Sequence, residues 1–200
     1  IYRQYVIPNN HILYNIFMRF WMDNLCPFIS FSNYSFRLPS MIAAFAFLLS
    51  SFLFWRKRFS DSSVFIVLLA FTVSPAFLIY ASAVRGYMFS ILTVSLAIIA
   101  VFKVCENRKT WFLAYCLLSL ISVGIMPTNA FAIFAVSLLP FVFGKAKITL
   151  QNFLQFSSVP FIALLCFYLP IFPQFIKTIS IKEGWPSGPA AVGAFYLSTF

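Results

Sequence analysis

The sequence predicts an all-α fold: a polytopic bundle of transmembrane helices, with an amphipathic helix lying at the interface in an extracytoplasmic loop. Three observations predict it. The first is composition: 62% of the 200 residues are hydrophobic and only 9% are charged, whereas a soluble domain carries about a quarter charged residues. So few charges cannot cover a water-facing surface. The second is the grouping of apolar residues into runs close to the roughly 20 residues that cross a bilayer. The third is the placing of Lys and Arg. They cluster in three short gaps, Arg56-Lys57-Arg58, Lys103 with Arg108-Lys109, and Lys145 with Lys147, and two apolar runs separate each cluster from the next.

That alternation fixes a topology. Short cytoplasmic loops carry the excess of Lys and Arg, so the three basic gaps are assigned to the cytoplasm. Residues 1–37, the turn at Arg85, the turn at Pro127 and residues 173–190 then face outward. The formal net charge of +10 does not point to nucleic acid. The cations sit in inter-helix gaps rather than along one face, and charge sorting across the membrane accounts for them. The 28 Phe residues read as lipid-facing bulk.

Six spans are predicted, at 38–55, 63–82, 86–102, 110–126, 128–143 and 153–172. They are read as helices because a backbone in lipid must satisfy its own hydrogen bonds. The first, third and fifth run inward; the others run outward. Pro75, Pro140 and Pro160 predict kinks. Pro127-Thr128-Asn129 predicts a tight turn between two helices. The chain thus divides into an outer loop (1–37), a six-helix region (38–172), and an outer loop leading into a further helix (173–200). It opens at Ile1 without an initiator Met and ends inside an apolar stretch, so it reads as part of a longer chain.

Residues 9–26 differ from the spans. Ile12, Leu13, Ile16, Phe17, Phe20 and Trp21 repeat at the spacing of one helix face, and His11, Asn15, Arg19 and Asp23 form a polar stripe. Asn9 or Asn10 suits the cap, and Cys26-Pro27 ends the segment. It is too polar to span and too apolar to float. An interfacial helix fits, with Trp21 and the Phe side chains dipping into lipid.

Arg85-Gly86-Tyr87 is the sharpest local signal. Arg85 is the only charge between Asp61 and Lys103 and stands at the outer start of the third span. A helix N-terminus is already partially positive, so a cation there is misplaced unless an anion joins it. Gly86 permits close approach to the backbone, and Tyr87 carries a phenol. Arg37-Leu38-Pro39-Ser40 repeats the arrangement at the start of the first span, with Pro39 suited to a first helical turn. The plainer reading of both arginines is contact with lipid headgroups.

His11 is the only histidine; it is a candidate acid, base or substrate contact, or simply a cap. Asn10, His11, Lys182 and Glu183 are the remaining candidates for the lining of an outer substrate cavity. Asp23 is four residues after Arg19 and is expected to pair with it. Asp61 and Glu106 are expected to partner the cytoplasmic cations. Cys26, Cys105, Cys116 and Cys166 lack metal or redox spacing and read as small hydrophobes. The residues imply no cofactor and no metal site, and leave the use of a divalent metal open.

The order of these features resembles an integral-membrane glycosyltransferase of the GT-C class, nearest to the bacterial protein O-mannosyltransferase and aminoarabinose-transferase type. The resemblance rests on Asn10-His11-Ile12-Leu13-Tyr14, the amphipathic helix after it, Arg37-Leu38-Pro39-Ser40 and Arg85-Gly86-Tyr87, and covers residues 8–100. It implies transfer of a sugar from a polyprenyl-phosphate donor to a lipid, glycan or protein acceptor on the extracytoplasmic face. It places Arg85, Tyr87 and Arg37 at the donor phosphate, and the catalytic carboxylate upstream of Ile1. A transporter or lipid flippase, or a polysaccharide polymerase or ligase with a lipid-linked donor, is the alternative. Phe, Ile and Asn usage fits a bacterial inner membrane, with the site facing the periplasm.

The topology is checked with single cysteines in a cysteine-free background. An impermeant thiol reagent should label Arg85→Cys in intact cells and Lys57→Cys only after permeabilisation; the reverse pattern would invert the assignment.

Overall fold

The computed structural model describes residues 12–25, 33–106, 110–143 and 150–171. All but the last few lie in one compact unit, residues 9–167; the second unit comprises 1–8 and 168–200. Among the described residues the fold is all-α, without strands. Its helices are α1 (Ile12–Asn24), α2 (Asn33–Trp55), α3 (Asp61–Thr72), α4 (Pro75–Ser82), α5 (Tyr87–Cys105), α6 (Trp111–Ile125), α7 (Asn129–Ser137), α8 (Leu139–Phe143) and α9 (Leu150–Tyr168), followed by a short 3-10 turn, Leu169–Ile171.

Two helices are long and apolar enough to cross a membrane, α2 from Tyr34 and α5; the bent pair α3–α4 makes a third if it counts as one span. The rest of the predicted spans are shorter apolar helices, Trp111–Ile125, Asn129–Phe141 and Leu154–Tyr168. The second predicted span is therefore not one straight helix. It breaks at Val73-Ser74, and its halves meet at 69°. Pro75 causes the break, since it cannot donate to the Phe71 carbonyl one turn back. Ser74 repairs both ends: its hydroxyl donates to Phe71 O at 2.7 Å and accepts from the Phe77 N–H at 3.3 Å. The fifth predicted span is likewise two pieces, parted at Leu138.

The helices alternate in direction. Along α2 and α5, Ser40 meets Ala83 just ahead of α5, Ser51 meets Ser95, Phe54 meets Phe102, and Arg58 meets Glu106. The sequence offset stays nearly constant, so α2 and α5 run parallel, as two inward spans would. Ser90 and Asn129 join the starts of α5 and α7 at 2.7 Å, while Tyr115, early in α6, packs with Ala97, Ala100 and Val101, late in α5. Thus α6 returns against α5, and α7 runs with it. The ring of Phe156 in α9 lies 5.2 Å from that of Tyr115, and Phe167 lies by Gly124, so α9 runs with α6.

Charge collects at one end of this bundle. Glu106 takes both Arg58 and Lys103, the latter at 2.8 Å, and Arg56 pairs with Asp61 at 3.3 Å. The two acids are thus partners of the basic gaps, as expected. At the opposite end Arg19 and Asp23 form the predicted pair, exposed and 3.5 Å apart.

Two expectations are corrected here. The helix containing Arg37 begins at Asn33, more than a turn early, and Pro39 lies inside it. A proline there deprives the Ser35 carbonyl of its usual donor. The Trp21 indole N–H supplies one, at 3.0 Å. Trp21 is accordingly buried against protein instead of dipping into lipid. The buried face of α1 is Ile12, Tyr14, Met18 and Trp21, and it is Ile16 and Phe20 that point away. Tyr14 and Met18 belong to the buried face as well, which rotates it from the predicted one.

Pro160 repeats the device. It sits inside α9, and the Phe156 carbonyl that it cannot serve accepts instead from the fully buried Tyr115 hydroxyl at 3.0 Å. Tyr115→Phe should lower the free energy of unfolding by about 1–3 kcal/mol, the cost of a buried acceptor left bare. In a Pro160→Ala background, where the backbone N–H is restored, the same substitution should cost clearly less. Equal costs in both backgrounds, measured by denaturation in detergent, would refute the compensation.

Candidate functional site

The candidate site is the bundle end opposite the basic cluster. There the chain enters α2, turns from α4 into α5, and turns from α6 into α7. The α4–α5 turn is Ala83 to Gly86, with Ala83 extended (φ −73°, ψ 137°) and Gly86 at the cap of α5. Arg85 therefore stands immediately before a helix N-terminus, as the sequence requires, and it is exposed. Its guanidinium donates from Nη1 to the Tyr87 hydroxyl oxygen at 3.3 Å. The Tyr87 ring stacks on Tyr80 of α4, with centroids 4.9 Å apart. Tyr80 is a site residue that sequence reading missed. Only the chain reversal between α4 and α5 brings positions 80 and 87 together.

Arg37 is exposed and is the fifth residue of α2, not its first. The argument from a helix N-terminus therefore weakens for this residue. Its helix is nonetheless tied to the turn that carries Arg85. Ser40, one turn after Arg37 on the same helix, donates its hydroxyl to Ala83 O at 2.8 Å. Ala83 lies two residues before Arg85. The two arginines thus occupy the same end of the parallel pair α2–α5, while the remaining candidates, Asn10, His11, Lys182 and Glu183, lie outside the described residues.

Beneath this surface lies a buried polar layer. Asn129, the first residue of α7, accepts from Ser90 Oγ at 2.7 Å and donates to Ser122 O at 2.9 Å. One amide thereby ties α5, α6 and α7 together. Thr93 bonds back to Phe89 O at 2.8 Å, a common way for a hydroxyl to survive in an apolar helix. Ser122 Oγ is fully buried with no hydrogen-bond partner among the described residues.

α1 covers the layer. Tyr14 and Phe17 set their rings against Phe89, with centroids 5.6 and 5.1 Å apart. Burial pushes the Tyr14 phenol above its usual value of 10, and the neighbouring Ser40 hydroxyl pulls it part of the way back. Leu13 reaches the backbone of Gly124. A Cβ at that position would stand 2.5 Å from Leu13 Cδ1 and 2.8 Å from Phe167 Cζ, so only glycine leaves room for both. Chemically, this end offers a cation and a phenol at a helix start, a second cation nearby, and apolar walls. That combination suits an anion carried on an apolar molecule.

No known protein family, curated protein or solved structure matches this chain.

Gly124→Ala should displace Leu13 or Phe167 and loosen α1, with Leu13→Ala restoring part of the loss. The check is the melting temperature with Trp21 emission as the reporter, and an unchanged melt would rule out the tight contact. A pH prediction follows from Tyr14. Its raised folded value means that its contribution is complete below pH 10 and is lost as pH climbs through the folded value. Tyr14→Phe should therefore make stability fall less steeply above that pH.

Proposed function

We propose that the chain is the membrane part of a glycosyltransferase, which moves a sugar from a polyprenyl-phosphate donor to an acceptor on the extracytoplasmic face. One observation carries the reading. Arg85, Tyr87 and the Arg37 turn of α2 share the bundle end opposite the basic cluster, with the Ser40–Ala83 bond linking the two segments. By charge sorting, that end is extracytoplasmic. The six-span topology, the inner-membrane location and the outward site belong to the same proposal. The alternating helix directions support it. α6, with 15 residues, is short for a span at about 22 Å, and a short span is accommodated by local thinning of the bilayer.

In the proposed reaction the acceptor hydroxyl attacks the anomeric carbon. Its proton passes to a carboxylate acting as general base. The bond from the anomeric carbon to the phosphate oxygen breaks, and the electron pair leaves with the lipid phosphate. Negative charge grows on that phosphate, and Arg85 is placed to stabilise it, with Tyr87 holding the guanidinium and Arg37 adding a second positive charge. Asp23 is exposed and paired with Arg19, so it is a poor base. The resemblance to that glycosyltransferase class implies a carboxylate ahead of the interfacial helix instead. The donor tail would lie along the apolar helices, and the acceptor would be a lipid, glycan or protein.

The break between α3 and α4 favours a second reading, a transporter or flippase, because discontinuous helices form the sites of many transporters. Such sites normally also carry ionisable groups within the spans. Residues 63–82 contain no Asp, Glu, Lys, Arg or His. A polymerase or ligase with a lipid-linked donor would use the same phosphate chemistry and differ only in its acceptor.

In membranes supplied with polyprenyl-phosphate sugar, Arg85→Ala should reduce transfer by about 100-fold or more without loss of inserted protein, and Arg85→Lys should retain part of the rate. Full activity of Arg85→Ala would remove the phosphate assignment.

A further inference from the structure

We propose that the basic end of the bundle is a binding site for the headgroup of an anionic phospholipid, centred on Lys57 where the C-termini of α2 and α5 meet. The charge count at this end is lopsided. Arg56, Lys57, Arg58 and Lys103 face two carboxylates, Asp61 and Glu106. Glu106 is shared by two cations and Asp61 answers Arg56, so Lys57, which is exposed, has no ion-pair partner among the described residues.

The cations are held in place beforehand. The Arg58 guanidinium lies 3.9 Å from the centre of the Phe54 ring and also bonds to Glu106; Arg56 lies 5.3 Å from the Phe52 ring. A headgroup phosphate would meet charges that lose little freedom on binding it.

Two further observations choose a lipid over a soluble anion. Trp55 sits beside the cluster, edge-on to Phe102 at 5.6 Å and near Phe59, which is 60% exposed. Aromatic side chains next to Lys and Arg are the usual composition of the headgroup level. Below Lys57 runs an exposed apolar row at helical spacing, Leu53, Leu49 and Phe45. A phosphate at Lys57 would let its acyl chain follow that row down α2.

This inference needs the chain to sit in a bilayer but needs no sugar transfer. The test uses the full chain purified in detergent, titrated with dioleoyl phosphatidylglycerol or dioleoyl phosphatidylcholine and followed by native mass spectrometry and melting temperature. Phosphatidylglycerol should bind saturably and raise the melting temperature, and phosphatidylcholine should do neither. Lys57→Gln should weaken phosphatidylglycerol binding about fivefold, the equivalent of the roughly 1 kcal/mol a basic residue contributes at such a surface. Arg19→Gln, at the other end, should leave it unchanged. If Lys57→Gln does not fold, added salt should weaken phosphatidylglycerol binding to the unaltered protein. Equal effects of the two lipids, an equal effect of inorganic phosphate alone, or indifference to both Lys57→Gln and salt would each overturn the site. Sugar transfer is read from Arg85→Ala and phosphatidylglycerol binding from Lys57→Gln, so this proposal and the transferase reading fail separately.

Discussion

In an apolar chain a proline in the interior of a helix leaves a carbonyl without its donor, and the fold depends on replacing that donor. Water cannot do it in a hydrocarbon setting, where an unpaired backbone group costs several kcal/mol. Here the replacement comes from side chains, joined at Phe71 by the Ser74 backbone N–H at 3.2 Å. Trp21 serves Ser35 beneath Pro39, Tyr115 serves Phe156 beneath Pro160, and Ser74 serves Phe71 beside Pro75. Two of the three are contacts between different helices. The prolines therefore weld the bundle: Pro39 draws α1 onto α2, and Pro160 draws α9 onto α6.

The same logic governs charge. Among the described residues the interior of the bundle carries hydroxyls, the Asn129 amide and buried tyrosines, while the charged side chains stand toward its two ends. At one end two acids pair with three of the cations, and Arg56 and Arg58 also rest on Phe rings, next to the C-termini of α2 and α5, where positive charge is electrostatically welcome. At the other, Arg85 stands before a helix start, whose own partial positive charge adds to that of the guanidinium in drawing anions. That contrast between the ends gives the molecule its polarity, and the proposed chemistry follows from it.

Much of this was legible in the sequence. The spacing of basic gaps forecast the parallel run of α2 and α5, and Asp61, Glu106 and Asp23 took the partners expected of them. Pro75 and Pro127 marked real breaks, and Met126, just before Pro127, is extended as such a position demands (φ −141°, ψ 124°). The failures share one cause. Pro39 looked like a first-turn residue because its compensating donor lies 18 positions away, at Trp21. Trp21 looked lipid-facing because its acceptor was equally remote. Tyr80 and the bridging role of Asn129 likewise exist only once three helix ends have met. Local rules read propensity and periodicity well, but they do not see a partner supplied by another helix.

The elbow between α3 and α4 has a mechanical corollary. Ser74 terminates one helix and initiates the next with a single hydroxyl, and the Pro75 ring excludes the backbone bond that a continuous helix would need. Straightening this segment would forfeit both contacts and gain no replacement. One side chain thus braces the bend from both sides.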